Sequence, residues 1–420
     1  MENNNENQQE EIEDNGKQTK RIIRFTISFV IMLFIFYEVY SIAMYTLGKK
    51  SSENMYIYNA LNSFINKVSN NNDKQTTENY TLKFAALGDI YATNDTISLS
   101  KSLNTYDFTT GTENIQKILK NYDCVVASLN TPIATGTYST KTKYNAPEEL
   151  LTTLKSLNIN ILATANYHIY DMSESGITDT IKNIESNSMQ QIGLNDSSTR
   201  NKPAIYEKNN IKIGVLSYTT STNVDIATKK KYLVNKLSKD NIDEDIKYLN
   251  EQNVDYIISY LSISSDSALV SSEQKKDVEQ LLESGVNIVL CTGSNIVKDK
   301  SEDEIELSTG SKNKTYAIYS LGDFIGQTDT TQHSTSIIAD ITFNKNVTKD
   351  KNRNVINDKT SKTYTVNTPI KLWTRLNSKA TKIYNVEDAI KQYNEGTISL
   401  KASEYNDLLK ESNRIDKLYK

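Results

Sequence analysis

Apolar positions along this chain fall into two regimes. Residues 25–47 are almost continuously apolar, broken chiefly by Glu38. From Tyr80 onward, short apolar runs alternate with stretches in which apolar residues recur every third or fourth position. The runs at 82–87, 124–129, 159–163, 211–216, 256–261 and 286–290 are short, several are rich in Val and Ile, and they predict buried strands. Between them, residues 113–119, 147–157, 177–184, 242–249 and 273–282 carry helical spacing. Such alternation predicts α/β architecture with helices covering the sheets. Further strands are expected at 315–319 and 336–343. Residues 345–360 form a polar stretch rich in Lys, Asn and Asp that predicts a loop, and the chain beyond Pro369 ends in two helix-like segments.

The first apolar regime has the length needed to cross a hydrocarbon core, about 20 residues, and exceeds the roughly 7–15 residues of a signal-peptide core. Lys17, Lys20, Arg21 and Arg24 precede it, against Lys49 and Lys50 after it. That bias predicts one transmembrane helix with the N-terminus cytoplasmic and the remaining chain outside the cell membrane. The expected organisation is a disordered cytoplasmic tail over 1–20, an anchor over 21–47 and a juxtamembrane linker over 48–79. A domain follows over 80–345, then a polar insertion and helical extension over 346–420.

Composition narrows the chemistry. The net charge of −4 gives no basic footprint, which argues against a nucleic-acid partner. Two cysteines, Cys124 and Cys291, lie inside apolar runs and predict buried packing residues rather than a disulfide framework. Only two histidines are present, His168 and His333, too few for a two-metal hydrolytic centre built mainly on imidazoles. The 26 tyrosines are mostly scattered singly through strand and helix patterns, which points to packing. Lys229, Lys230 and Lys231 form a basic run that reads either as a solvated loop or as a contact for an anionic polymer.

Five local patterns follow one another along the chain: Ala86-Leu-Gly-Asp89, Ser128-Leu-Asn-Thr-Pro132, Tyr144-Asn-Ala-Pro147, Ala165-Asn-Tyr-His168 with Asp171, and Tyr319-Ser-Leu-Gly-Asp-Phe324. Together they resemble the CapA family of poly-γ-glutamate capsule biosynthesis proteins. The resemblance implies a calcineurin-like metallophosphatase fold, an αββα sandwich, held outside the membrane by an anchor. It also implies partners among membrane-bound polyglutamate synthase components.

Where the family keeps metal-binding chemistry, this sequence departs from it. Asp89 matches the family's Gly-Asp aspartate. The Asn-Leu-Glu-Thr-Pro pattern stands as Ser128-Leu-Asn130-Thr-Pro, and Asn-Asn-His as Asn166-Tyr167-His168. The positions of His-Trp-Gly are taken by Ser262-Ile-Ser264, and those of Gly-His-His-Pro-His by Cys291-Thr-Gly293-Ser-Asn295. Ser-Leu-Gly-Asn-Phe stands as Ser320-Leu-Gly-Asp323-Phe. The ancestral-site positions are therefore Asp89, Ser128, Asn130, Asn166, His168, Asp171, Ser262, Gly293, Asn295 and Asp323.

Glycine offers no side-chain donor, and amide oxygens suit hard cations better than zinc or iron. The expectation is a pseudoenzyme with no resident cofactor beyond, at most, one weakly held divalent cation. A residual hydrolase using Asp89 and His168 stays open, as does an unrelated surface-binding role. Asp89, Asp171 and Asp323 read equally well as turn or helix caps, His168 as a hydrogen-bonded structural residue, and His333 as a surface residue.

Overall fold

The computed structural model describes residues 32, 35–40, 63 and 75–420, apart from 266, 308–309, 311, 327, 351, 357–358 and 377–379. Of the expected anchor, Met32 and residues 35–40 are described, as helix, and the remainder lies outside the described residues. Among the described residues no helix is long and apolar enough to cross a membrane. Residues 77–348 and 356–420 form one compact unit.

Its elements run β1 (Thr76–Ile90), α1 (Asn94–Ser100), β2 (Lys101–Ser102), β3 (Thr105–Tyr106), α2 (Glu113–Leu119), β4 (Cys124–Leu129), α3 (Glu149–Ser156), β5 (Ile161–Ala163), α4 (Ser173–Ser186) and β6 (Gln190–Ile192). Next come β7 (Ala204–Lys208), β8 (Ile211–Thr219), a 3-10 turn (Thr228–Leu233), α5 (Lys239–Glu251), β9 (Tyr256–Ser262), α6 (Ser272–Glu283) and β10 (Ile288–Thr292). The last third supplies β11 (Lys300–Glu306), β12 (Lys312–Ile318), β13 (Asp323–Ile325), β14 (Thr335–Lys349), β15 (Ser361–Val366), β16 (Ile370–Leu376), β17 (Thr381–Asn385), α7 (Val386–Asn394) and α8 (Ala402–Leu418).

Two sheets result. One runs β17-β16-β14-β1-β4-β5-β6, with β13 paired to β1 and β15 to β14; the other runs β11-β12-β10-β9-β8-β7. In the first, β1, β4, β5 and β6 are parallel neighbours, and in the second so are β8, β9, β10 and β12. Parallel strands are buried on both faces, and the alternation of side chains says which layer each face meets. Leu82, Phe84 and Ala86 of β1 join Cys124 and Val126 of β4, and Tyr256, Ile258, Tyr260, Ile288 and Leu290 of the other sheet, in one inter-sheet core. Their neighbours Ala85, Leu87, Val125 and Ala127 face the opposite way, against Ile115, Leu119, Leu150 and Leu154 of α2 and α3. On the far side, Ile257, Leu261 and Val289 meet Ile242, Leu249, Val278 and Leu281 of α5 and α6. Helix, sheet, sheet, helix is the layering the family resemblance leads one to expect.

Buried tyrosines tie the layers by their hydroxyls, as packing residues with a polar end must. The Tyr260 hydroxyl donates to the Val126 carbonyl across the inter-sheet core at 2.9 Å, and Tyr364 donates to the Lys314 carbonyl at 3.0 Å. Cys124 and Cys291 are free and buried, and burial pushes the Cys291 thiol up to about 12. Helices α5 and α6 start where Ser238 and Ser271 accept from the backbone N–H groups of Asn241 and Gln274, the expected N-cap chemistry.

The chain beyond residue 345 does more than the expected polar insertion and helical tail. β14 extends to Lys349, and β15, β16 and β17 join the same sheet. Ile415 of α8 reaches the inter-sheet core. The polar sequence of β15 conceals it because only Tyr364 of that strand is buried.

Candidate functional site

The parallel strands of both sheets run in the sense that gathers their C-terminal ends, the usual ligand-binding edge of an open α/β sheet. Asp89 lies near the end of β1, Ser128 in β4, Ser262 ends β9 and Thr292 ends β10. Asp89 registers with Ser128 on one side and Asp323 on the other. Gly88 permits this convergence, because a Cβ there would stand 1.8 Å from the Gly322 carbonyl oxygen.

The innermost group is a closed knot of hydrogen bonds. Ser128 Oγ contacts Asp89 Oδ1 at 2.5 Å, Asn166 Oδ1 at 3.2 Å and Thr292 Oγ1 at 3.2 Å. The Gly293 N–H donates to Asp89 Oδ2 at 2.6 Å. Gly293 holds φ +85°, and a Cβ there would lie 2.8 Å from the Ile263 carbonyl oxygen. Asn166 Nδ2 donates to the carbonyls of Leu129 and Ala163 at 2.8 and 2.9 Å. That fixes the amide so that its oxygen faces Ser128.

Burial is the main influence on Asp89 and raises its carboxyl from 3.8 to about 6, against the hydrogen bonds from Ser128, the Gly293 amide and Thr292, and the nearby His168. Proton counting gives the same direction. With Asp89 ionised, the single Ser128 proton goes to the carboxylate and leaves Asn166 Oδ1 facing a lone pair. With Asp89 protonated, Asp89 donates to Ser128 and Ser128 donates to Asn166, and every member is satisfied.

A second knot surrounds the histidine. His168 Nδ1 lies 2.8 Å from Asp171 Oδ2, with the imidazole side chain 19% exposed and the carboxylate fully buried. Asp171 also accepts from the Tyr144 N–H and from Asn223 Nδ2, each at 2.8 Å. The His168 N–H donates to Asn130 Oδ1 at 2.9 Å. Tyr144 and Tyr167 stand edge-on to the ring, with centroids 4.4 and 5.0 Å away. Asp171 is thus the buried junction of three loops. A third contact set joins Asp323 Oδ2 to the Tyr91 hydroxyl at 2.5 Å and the same hydroxyl to Asn295 Oδ1 at 3.4 Å.

The predicted positions therefore divide. Asp89, Ser128, Asn166 and Gly293 meet directly, His168 pairs with Asp171 and Asn130, and Asp323 meets Asn295 through Tyr91. Ser262 is buried at the end of β9, and its hydroxyl has no hydrogen-bond partner. Lys229 and Lys231 are exposed on the 3-10 turn, while Lys230 forms an ion pair with Glu174. His333 is bonded to Asp329 at 2.7 Å, its side chain 23% exposed. Tyr91, Thr292 and Asn223 were not foreseen. Thr292, beside Gly293 at a strand end, is the one that carried a positional signal.

The model of the family described as bacterial capsule synthesis protein PGA_cap matches residues 83–328. The chain belongs to this family. It is thus a capsule-synthesis-related protein by membership, and the match spans both knots at the strand ends. No curated protein matches the sequence. Among solved structures, it is similar to the NAD nucleotidase NadN of Haemophilus influenzae, at 11% identity and a TM-score of 0.41, over 81% of this chain and 61% of that one. It is also similar to a 5'-nucleotidase precursor from Thermus thermophilus, at 9% identity and a TM-score of 0.39, over 81% of this chain and 60% of that one. The chain spans about three fifths of the length of these two proteins.

The two-metal centre implied by the capsule-family resemblance does not fit the residues present. Both Asp89 oxygens already accept hydrogen bonds, Asn166 Oδ1 faces Ser128, and a backbone amide stands at Gly293. Among the described residues no group of three or more His, Cys, Asp or Glu side chains is placed to hold a metal ion.

Proposed function

We propose that this capsule-family protein is a membrane-tethered, non-hydrolytic scaffold for the machinery that makes or exports an anionic surface polymer of the poly-γ-glutamate kind. The observation that carries the reading is the closure of the strand-end knot. Asp89 is engaged by Ser128 and by the Gly293 amide, so the carboxylate is spent on holding the two sheets together. Hydrolysis needs an open position for water at an activated centre, and the knot leaves none on Asp89. The apolar run 25–47, with its preceding basic residues, supports an anchor that keeps the α/β unit near membrane-bound synthase partners and raises their effective concentration.

The test is surface polymer per cell in a deletion strain. Asp89→Asn together with His168→Ala should leave the yield within about twofold of the parent. A secreted form lacking 25–47 should lose most of it. Full yield from the untethered form, or collapse in the folded double variant, would reject the scaffold.

The His168–Asp171 pair favours one second reading, residual hydrolysis. A histidine oriented by a buried carboxylate is the usual arrangement of a ligand or general base. Under that reading, His168→Ala abolishes phosphoesterase activity with the fold intact; under the scaffold reading it lowers stability and changes no rate.

A further inference from the structure

Among the described residues two lysines are almost fully buried, Lys298 and Lys371. Lys371 is answered by Glu387 at 2.9 Å and Asp416 at 2.7 Å. Lys298, between β10 and β11, has no carboxylate partner among the described residues. The one titratable group that bears on it is the Cys291 thiol, which burial keeps protonated. An ammonium without a counter-charge is costly in an interior, and such a lysine tends to give up its proton. Burial accordingly holds Lys298 below the usual lysine range.

The contacts of that amine form a chain. Lys298 Nζ donates to Gln274 Oε1 at 3.3 Å, and Gln274 Nε2 donates to the Tyr319 carbonyl at 2.6 Å. The second bond fixes the buried amide with its oxygen toward the lysine. The Lys298 backbone is pinned on both sides, its N–H donating to the Ser320 carbonyl and its carbonyl accepting from the Tyr419 hydroxyl, each at 3.1 Å. On its other side Lys298 Nζ stands 3.5 Å from Ser265 Oγ. Ser265 is half-buried, in the loop after β9, and its Oγ accepts from the Ser267 N–H at 3.3 Å. The hydroxyl proton is thereby left for the amine. A nucleophile, a base and a group orienting the base stand in sequence, at the looser spacing usual before a substrate arrives.

We propose that Ser265 is a nucleophile that takes up an acyl group from an activated ester, with Lys298 as its general base. Ser265 Oγ bonds to the acyl carbon as the ester C–O bond breaks. The serine proton passes to Lys298 Nζ and from there to the leaving oxygen, and the acyl group stays on Ser265 as an ester. The step uses no side chain of either strand-end knot. It goes beyond the scaffold reading and does not rest on it.

The purified full-length chain, treated with p-nitrophenyl acetate, should release a stoichiometric burst of p-nitrophenol. Peptide mapping should find the acetyl group on Ser265 as a hydroxylamine-labile ester, unlike the stable amides formed on surface lysines. Ser265→Ala, a change in a half-buried loop residue that the fold tolerates, should abolish the burst. Lys298→Met should slow it about 100-fold or more. Lys298→Arg keeps a cation but supplies no base, and should stay as slow. The burst rate should rise with pH and level off with a midpoint below 10.5, because the deprotonated amine is the reactive form. No acetyl ester on Ser265, an unchanged burst in Ser265→Ala, the parent rate in Lys298→Arg, or a rate that falls as pH rises would each overturn the proposal.

Discussion

Asp89 is a carboxylic acid whose ionisation opposes the packing around it. Its folded value of about 6 lies above the ordinary 3.8, so between these values the folded chain holds more protons than the unfolded one. The contribution to stability is full below pH 3.8 and is lost as pH rises through about 6, amounting to about 3 kcal/mol at most. Asp89→Asn keeps an oxygen for the Gly293 amide and donates to Ser128. It should therefore flatten this part of the stability–pH curve and gain about 1–2 kcal/mol at pH 7.5. Urea titrations at pH 4, 5, 6 and 7.5 check both; a variant less stable than the parent at every pH would refute the account. At Gly88 the constraint is steric. Gly88→Ala drives a methyl into the Gly322 carbonyl, and its expected cost is about 3 kcal/mol or more, or failure to fold.

Strands and helices differ in how openly they were written. β4 and α2 have the expected limits because all of β4 is buried and α2 places Ile115 and Leu119 toward one layer. The central strands are legible for the same reason: contact on both faces demands a continuous apolar run. Edge strands are not. Lys300–Glu306 exposes most of its charged residues and is held by pairing with β12, so backbone bonds define it while its side chains advertise a loop. The site shows the same division. Asp89, Tyr144, Asn166 and His168 lie in motifs that are continuous in sequence, whereas Asn223 reaches Asp171 from a separate loop, and nothing local marks a partner so far along the chain. At this scale Tyr260→Phe isolates the tie between sheets. It keeps the ring and removes the bond to Val126, and should cost about 1 kcal/mol in urea unfolding with no change of fold. No loss of stability would mean that bond adds nothing beyond the ring.

For the molecule as a whole, the scaffold proposed above needs no bound ion in either sheet. Dialysis against EDTA should leave Tm unchanged to within about 1 °C, since a resident metal that bound only the native state would shift it by mass action; a clear fall on chelation would contradict the reading of the strand-end knot. The position of Ile415 reaches further. This residue of α8 lies in the inter-sheet core with Phe84 of β1, so the first strand of the unit waits for one of its last helices. At about 5–20 residues per second, tens of seconds separate the synthesis of those two segments. Throughout that interval the nascent chain lacks a piece of its own interior, and the inter-sheet core stays incomplete. Placing a core residue so late in the sequence makes the length of the chain itself the clock for completing its interior.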